Sequence, residues 1–322
     1  MLQVFVRGPL GLQSAADPEA AVRSGEFVWA DLHAPADSAA LREGEQLLAA
    51  ALGRALPSIS DRRAFEESSR FYEDDCALFM TVTLMSKRDK GALMSDAVNF
   101  ILHQQRLITV RTISPRAFTI GEGRSAARIK DAPDAGAVLV ALLEALVERI
   151  ADVLRETTAE AQRVSNEVFL LNPRCQARET VLTLGLQGTL TSMCQESLAS
   201  LTRLFLFMVQ VCEAHGLMRE RFEALQSDVR ELENQADSLQ AHISFLLQAA
   251  LGLVGADQND VLRAVALATI AFAPPTLVAS IFGMNFDAMD WFHHDWGPWA
   301  AAGLILAGPL GLFGIARWRR WF

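Results

Sequence analysis

Two long stretches without a charged side chain close this chain of 322 residues, one at 264–286 and the other at 296–316. As helices that rise about 1.5 Å per residue, both are long enough to cross a hydrocarbon core of roughly 30 Å. The segment between them is too short to form a domain. The chain is therefore predicted to be a membrane protein that ends in a hairpin of two transmembrane helices, which we call span one and span two.

The charges that flank the two spans predict their orientation. The loop between the spans carries Asp287, Asp290 and Asp295 but no Lys or Arg, whereas Arg263 precedes span one and three arginines follow span two. Positively charged flanks stay in the cytoplasm, so both termini are predicted to be cytoplasmic and the loop to face outward. The N-terminus shows no export signal, which agrees with this orientation.

The part of the chain before span one is strongly acidic. The whole chain has a formal net charge of −9, and residues 261–322 contribute four Arg and three Asp, so residues 1–260 carry −10. A body this acidic repels nucleic acid and attracts cations, although the charge also serves simply to keep the domain soluble. The four cysteines are scattered without a C-x-x-C pair, which argues against a structural zinc site.

Residues 1–116 are predicted to form a mixed α/β domain. A helical pattern covers Ser38–Leu52, and short runs rich in Val, Ile, Phe and Thr predict strands at Gln3–Arg7, Phe27–Leu32, Cys76–Leu84, Ser95–Leu102 and Arg106–Thr112. Residues 117–260 contain long amphipathic stretches, which predict helices over Ala135–Leu171 and Cys175–Ala214. Residues 261–322 complete the chain with the membrane hairpin and a basic tail.

A third long helix is predicted from Leu217, and it extends to Phe282 if it continues unbroken into span one. Apolar residues repeat in heptads over its first half, at Phe222, Val229, Ala236, Ile243 and Ala250 and, three positions later, at Leu225, Leu232, Leu239, Leu246 and Leu253. This pattern is typical of a helix packed along a supercoiled seam. The two preceding helices are able to supply the partner within one chain, and packing between subunits is compatible with that arrangement.

One side of span one and its cytoplasmic approach carries small or polar residues. Steps of three and four place on this side what we call the span-one stripe: Asn259, Leu262, Ala266, Thr269, Ala273, Thr276 and Ser280. Such a stripe indicates either close packing of helices through small residues or the lining of a pore. Because two helices cannot enclose a water-filled path, transport by this chain would require an oligomer.

Asn285, at the outer end of span one, favours the pore interpretation. In a symmetric oligomer its amide becomes a ring of carbonyl oxygens, which suits a cation such as Mg²⁺ that gives up its water reluctantly. At the inner end, Leu262 and Val265 are candidates for an apolar constriction that closes by dewetting.

The run from Pro274 to Phe286, which contains Gly283-Met284-Asn285, resembles the signature of the CorA magnesium channels of the proteobacterial type. The resemblance extends to Phe245–Gly252, Gln258-Asn259 and Ser69–Asp75. It implies an α/β cytoplasmic domain, a long helical stalk and two C-terminal transmembrane helices, assembled as a funnel-shaped homopentamer. It also implies passive Mg²⁺ uptake across the bacterial inner membrane, driven by the membrane potential, with Co²⁺ and Ni²⁺ often permeating. An enzyme is not expected.

The resemblance also implies roles for individual residues. The selectivity asparagine falls on Asn285, with Gly283 and Met284 shaping the turn, and the inner gate falls on Leu262 and Val265. Together with the stripe, it predicts that the pore is lined by Asn259, Thr269, Ala273, Thr276 and Ser280.

The sequence also departs from the family pattern. The family's loop usually continues from G-M-N into M-P-E-L, whereas this pore-mouth loop offers a different set of polar residues: Asp287, Asp290, His293, His294 and Asp295. The paired histidines are suited to zinc, cobalt or nickel, or they are bystanders in an exposed loop. The position that matches a regulatory acidic residue of some members is Ala224. Glu73, Asp74 and Asp75 are therefore candidate regulatory metal ligands, or a solvated acidic turn.

Two other functions agree with parts of the sequence. A zinc transporter that resembles the ZntB branch has the same fold, but Met284 favours the magnesium type. A membrane-anchored coiled-coil scaffold accounts for the heptads and the basic tail, but it leaves Asn285 and the polar residues of the stripe without a role.

Overall fold

The computed structural model describes residues 1–9, 11–36, 38–57, 70–74, 77–87, 93–118, 124–170, 177–284 and 296–318. Contacts divide the chain into two compact units. The first unit comprises Met1–Asn172 and Arg178–Leu247, and the second comprises Pro173–Ala177 and Gln248–Phe322. The domain boundaries predicted after residues 116 and 260 stay predictions.

The first unit begins with a seven-stranded sheet. In chain order its strands are β1 Leu2–Gly8, β2 Gly11–Ser14, β3 Trp29–His33, β4 Phe71–Asp74, β5 Ala77–Lys87, β6 Leu93–His103 and β7 Arg106–Arg111. In space the order is β2-β1-β3-β7-β6-β5-β4. The central pair β3–β7 is parallel, and every other pair is antiparallel.

All five predicted strands are confirmed, while β2 and β4 were missed. Each missed strand has four residues, lies at an edge of the sheet and is exposed on at least half of its length. Such short edge strands carry too little alternation for a sequence pattern to detect. β2 follows β1 through a turn in which Gly11 has φ +99°, a conformation that a side chain would strain.

In the described part of the chain, three short helices accompany the sheet: α1 Pro18–Ser24, α2 Ala39–Leu52 and α3 Arg124–Lys130. α2 confirms the predicted helix. Ser38 begins it, because its hydroxyl accepts a hydrogen bond from the backbone N–H of Leu41 at 3.1 Å, and Gly53 ends it in the left-handed conformation.

A buried ion pair crosses the central strands of the sheet. The Arg111 guanidinium on β7 donates to the Asp31 carboxylate on β3, with an Nη2–Oδ2 distance of 2.8 Å, and the Thr109 hydroxyl donates to the same carboxylate at 2.7 Å. Both charged side chains are buried. Because each charge is paired and hydrogen-bonded, the cost of removing it from water is offset.

Four long helices follow, α4 Ala135–Leu170, α5 Ala177–Val211, α6 Arg219–Phe282 and α7 Gly297–Trp318, with 3₁₀ turns at Arg116–Phe118 and Glu213–His215. Helices α4 and α5 confirm the two predicted long helices. α6 confirms the third, since it continues as one helix of 64 residues through Pro274 and Pro275.

The heptad seam of α6 is buried within the single chain. Its first four apolar pairs, from Phe222 to Leu246, are all at most 9% exposed, and Ala250 is 3% exposed. In the first unit α5 lies beside α6, since the Gln195 amide donates to Asp237 at 2.7 Å and the Thr202 hydroxyl to Glu233 at 2.8 Å. The interpretation of the heptads as an intramolecular bundle is therefore confirmed.

Helix α5 also covers the edge of β5 beyond its pairing with β4. The buried hydroxyls of Ser197 and Ser200 accept hydrogen bonds from the backbone N–H groups of Met85 at 3.0 Å and Thr83 at 2.9 Å. These two serines take the place of a neighbouring strand, so the sheet and the helical bundle form one unit.

Candidate functional site

The membrane-spanning part of α6 is the candidate site. Among the described residues, one helix, Arg219–Ile281, contains a stretch of 18 residues that is apolar enough to cross a membrane. This stretch has a mean hydropathy of 1.8 and no buried residue. A core helix of a soluble protein would be buried there instead. Span two corresponds to α7, in which Trp299–Gly311 is a shorter apolar helix.

One face of span one is partly buried within the second unit. Leu267, Ala271, Pro274 and Val278 recur at steps of four, three and four along this face. At Pro274 it meets α7, because a Cβ atom built on Gly308 would lie 3.3 Å from the Pro274 Cβ. Gly308 thus lets the two helices approach closely.

The span-one stripe lies on the opposite side of the helix. At 3.6 residues per turn its mean direction is about 150° from that of the partly buried face, and all seven of its residues are exposed. The gate candidates Leu262 and Val265 are 65% and 58% exposed. The fold of a single chain therefore leaves this face without a partner, while the face that α7 covers is apolar.

Two hydroxyls give the stripe a defined polarity. The Thr269 hydroxyl donates to the Val265 carbonyl oxygen at 2.9 Å, and the Thr276 hydroxyl donates to the Phe272 carbonyl oxygen at 2.7 Å. Each hydroxyl hydrogen is thus used within the helix, and the oxygen lone pairs remain as acceptors on the exposed side. Acceptor oxygens are the groups that interact with a cation or with its bound water.

Span one ends, on its outer side, at the signature motif Gly283-Met284-Asn285. The Gly283 N–H donates to the Ala279 carbonyl oxygen at 2.9 Å, and the Met284 N–H donates to the Ile281 carbonyl oxygen at 3.3 Å. The Met284 side chain is exposed. Asn285 and the pore-mouth residues Asp287, Asp290, His293, His294 and Asp295 lie outside the described residues, so their roles stay predictions.

The candidate regulatory residues Glu73 and Asp74 make polar contacts within the first unit. Glu73 contacts His215, with an Oε1–Nε2 distance of 3.0 Å, and Asp74 accepts a hydrogen bond from Arg54 at 2.8 Å. Asp75 lies outside the described part of the chain. Within that part, no group of three or more His, Cys, Asp or Glu side chains is placed to hold a metal ion. The regulatory assignment stays a prediction.

Burial shifts the pKa of several titratable groups in the first unit. Burial lowers the pKa of His103, and the nearby Arg54 and Arg106 lower it further. Burial, followed by Arg111, also lowers the pKa of His33, and burial raises the pKa of the Cys194 thiol to about 12. In each case burial disfavours the charged form. None of these groups belongs to span one.

Sequence analysis missed two contacts near the predicted sites. The Glu73–His215 pair joins residues that are 142 positions apart, and nothing in the local pattern of either segment indicates it. The contact of Gly308 with Pro274 had a detectable signal, because span two contains five glycines, and small residues in a span favour close helix packing.

Comparison with known proteins gives one family and one fold. The family model described as CorA-like Mg²⁺ transporter protein matches residues 24–319. A magnesium transport protein CorA from Haemophilus influenzae is 28% identical over 295 residues, which cover 91% of this chain and 92% of that protein. A magnesium transport protein CorA from Mannheimia succiniciproducens is 31% identical over 288 residues, 87% of each chain.

Among solved structures, the complete CorA magnesium transporter from Methanocaldococcus jannaschii superposes with a TM-score of 0.66. The match covers 98% of this chain and 97% of that chain at 16% identity. At this identity the likeness shows the shared fold alone, an α/β domain followed by long helices.

Proposed function

The chain belongs to the CorA-like Mg²⁺ transporter family, and from this premise we propose that it is a channel for divalent cations in the bacterial inner membrane. Its curated relatives are named as magnesium transport proteins, so Mg²⁺ is the proposed physiological ion and catalysis is not part of the function. Co²⁺ and Ni²⁺ are proposed as further permeant ions. Uptake is passive, since a dication that moves down 100 mV releases about 4.6 kcal/mol.

The observation that carries the proposal is the exposed span-one stripe opposite the face that α7 covers. A single chain has no use for exposed Thr and Ser at membrane depth, because lipid offers their oxygens no hydrogen-bond partner. Several copies arranged around an axis, proposed here as a homopentamer, would direct these stripes toward a shared water-filled path. Spans one and two then form the membrane part at 261–322, both termini lie in the cytoplasm, and residues 1–116 and 117–260 form the cytoplasmic domain and stalk.

Different residues along this path are proposed to bind the ion, to line the pore and to close it. At the outer end, Asn285 offers a ring of amide oxygens to a cation that keeps most of its water. Below it, the acceptor oxygens of Thr276 and Thr269 face the permeating ion. Leu262 and Val265 close the inner end through an apolar constriction.

The test is metal influx into proteoliposomes that contain the full chain, measured in separate arms for Mg²⁺, Co²⁺, Ni²⁺ and Zn²⁺. Asn285→Ala is expected to abolish influx, because the amide ring is lost. Asn234→Ala is the matched control, since it makes the same change at an exposed position of α6 in the first unit, and it should conduct like the parent. Undiminished influx through Asn285→Ala would remove Asn285 from the selectivity role. Influx confined to the Zn²⁺ arm would favour the zinc alternative.

A further inference from the structure

Exposed apolar side chains gather at one end of the helical bundle in the first unit. In the described part of that unit, seven large hydrophobic side chains are exposed, and three of them, Met1, Leu206 and Met218, lie elsewhere. The other four are 52–65% exposed: Phe169, Leu182, Leu186 and Phe245. Exposed clusters of large apolar side chains mark an interaction site more often than a solvated face.

Two of these side chains form what we call the phenylalanine patch. Phe169 lies in the last turn of α4 and Phe245 on α6, and their rings stack with centroids 6.2 Å apart and planes inclined by 24°. A groove of about 460 Å³ runs between α4 and α6 and is lined by, among others, Gln162, Ser238 and His242. His242 lies one turn before Phe245, so the patch adjoins an open surface.

The other two form the leucine patch. Leu182 and Leu186 are four residues apart on α5, so they lie on one face of that helix. Their height along the bundle follows from the packing of α5 on α6, because a Cβ atom built on Gly188 would lie 3.7 Å from Ile243 Cγ2. Since α5 and α6 are antiparallel, Leu186 is level with about residue 245. The two patches are therefore at the same height.

The patches lie on different sides of α6. The residues of α6 that face α4 across the groove include Gln235, Leu239 and His242. Those that bond α5 are Glu233 and Asp237, which lie on the other side of the helix at 100° per residue. A single chain thus presents one apolar patch on each flank of its bundle.

We propose that the two patches are the two halves of one interface, in which the phenylalanine patch of one copy packs against the leucine patch of the next. Contact between unlike patches on opposite flanks is heterologous, and repeated around an axis it closes into a ring. A closed ring covers both patches in every copy without any other partner. The inference rests on the proposed function only in that a channel requires several copies around an axis.

The test uses site-specific cross-linking of the full chain in lipid nanodiscs. The parent carries Cys76→Ser and Cys175→Ser and keeps Cys194 and Cys212, which are buried. Phe245→Cys and Leu186→Cys are introduced separately and together. Samples are oxidised or treated with a short bismaleimide, which bridges wider gaps than a disulfide, and then separated under non-reducing conditions.

The chain with both new cysteines is expected to give a ladder of covalent oligomers, because every interface then holds one cysteine from each neighbour. Each single variant should stay monomeric like the parent, since its cysteines occupy only one side of each interface. Self-cross-linking of a single variant would show that like patches meet, and would overturn the proposal.

Particle mass, measured on the same samples before cross-linking, separates this inference from the proposed function. An oligomer whose double variant forms no covalent dimer would refute the patch pairing and leave the channel intact. A stable monomer would refute both. Parent-like mass and Mg²⁺ influx in the single variants would show that the substitutions leave the assembly unharmed.

Discussion

The heptad positions of α6 are apolar in its first half and again in span one, but their burial differs between these two parts. From Phe222 to Leu246 the apolar heptad positions are at most 9% exposed. In span one the same heptad positions, from Leu267 to Val278, are only partly buried. In the first half, the face opposite the heptad positions is mostly polar or charged, as expected for a surface exposed to water. In the second half, the opposite face carries Thr, Ser and Ala, although a surface exposed to lipid is expected to be apolar.

This difference teaches that burial within one chain explains the first half of the helix but not the second. A polar face in water is at its lowest free energy when it is solvated, so it needs no partner. The Thr269 and Thr276 hydroxyls donate within their own helix, but at membrane depth their acceptor lone pairs find a hydrogen-bond donor only on another helix or in water. The second half of α6 is therefore incomplete as a single chain, which is the physical reason to infer an assembly.

The largest expected effect tests the first half of this comparison. Leu246→Ala removes a fully buried side chain, and we expect it to lower the free energy of unfolding by about 2–5 kcal/mol, because a cavity replaces packed atoms. Leu262→Ala makes the same chemical change at a side chain that is 65% exposed, and it should cost far less. Denaturant unfolding of the two variants in the same detergent measures the difference.

Equal losses in the two variants would show that Leu262 is as tightly packed as Leu246. In that case the inner part of the span-one stripe would be a packing surface, and its proposed role as a gate would be wrong.

The second prediction concerns the stripe itself. Thr276→Phe places a ring in the proposed water-filled path, and we expect Mg²⁺ influx to fall at least about tenfold, which corresponds to roughly 1.4 kcal/mol in the barrier. Leu277→Phe introduces the same ring at the next position, which is exposed but off the stripe. This control should retain parent influx.

Proteoliposomes matched for protein content give the comparison directly. A similar fall in both variants would mean that the added ring acts through general disruption of the span, and the assignment of the stripe to the pore would lose its support.

Features that produce a periodic sequence pattern could be predicted, whereas contacts between elements far apart in the chain could not. Periodic patterns identified the seam from Phe222, the five longer strands and the exposed stripe, because periodicity records which side of an element meets water. The edge strands β2 and β4 were too short to show a period. The pairing of Glu73 with His215 and the serines that cover β5 depend on which elements meet in the fold, and local sequence does not record that.

The smallest expected effect probes the contact between spans one and two. In a helix interior Ala is favoured over Gly by about 1 kcal/mol, so Gly311→Ala, which has no atom within 4 Å of the new methyl group, should slightly raise the thermal stability of the detergent-solubilised protein. At Gly308 the new methyl group would lie 3.3 Å from the Pro274 Cβ. This crowding should offset the gain and leave Gly308→Ala no more stable than the parent. If both variants were stabilised equally, α7 would not be held against Pro274, and the partly buried face would lose the contact that distinguishes it from the stripe.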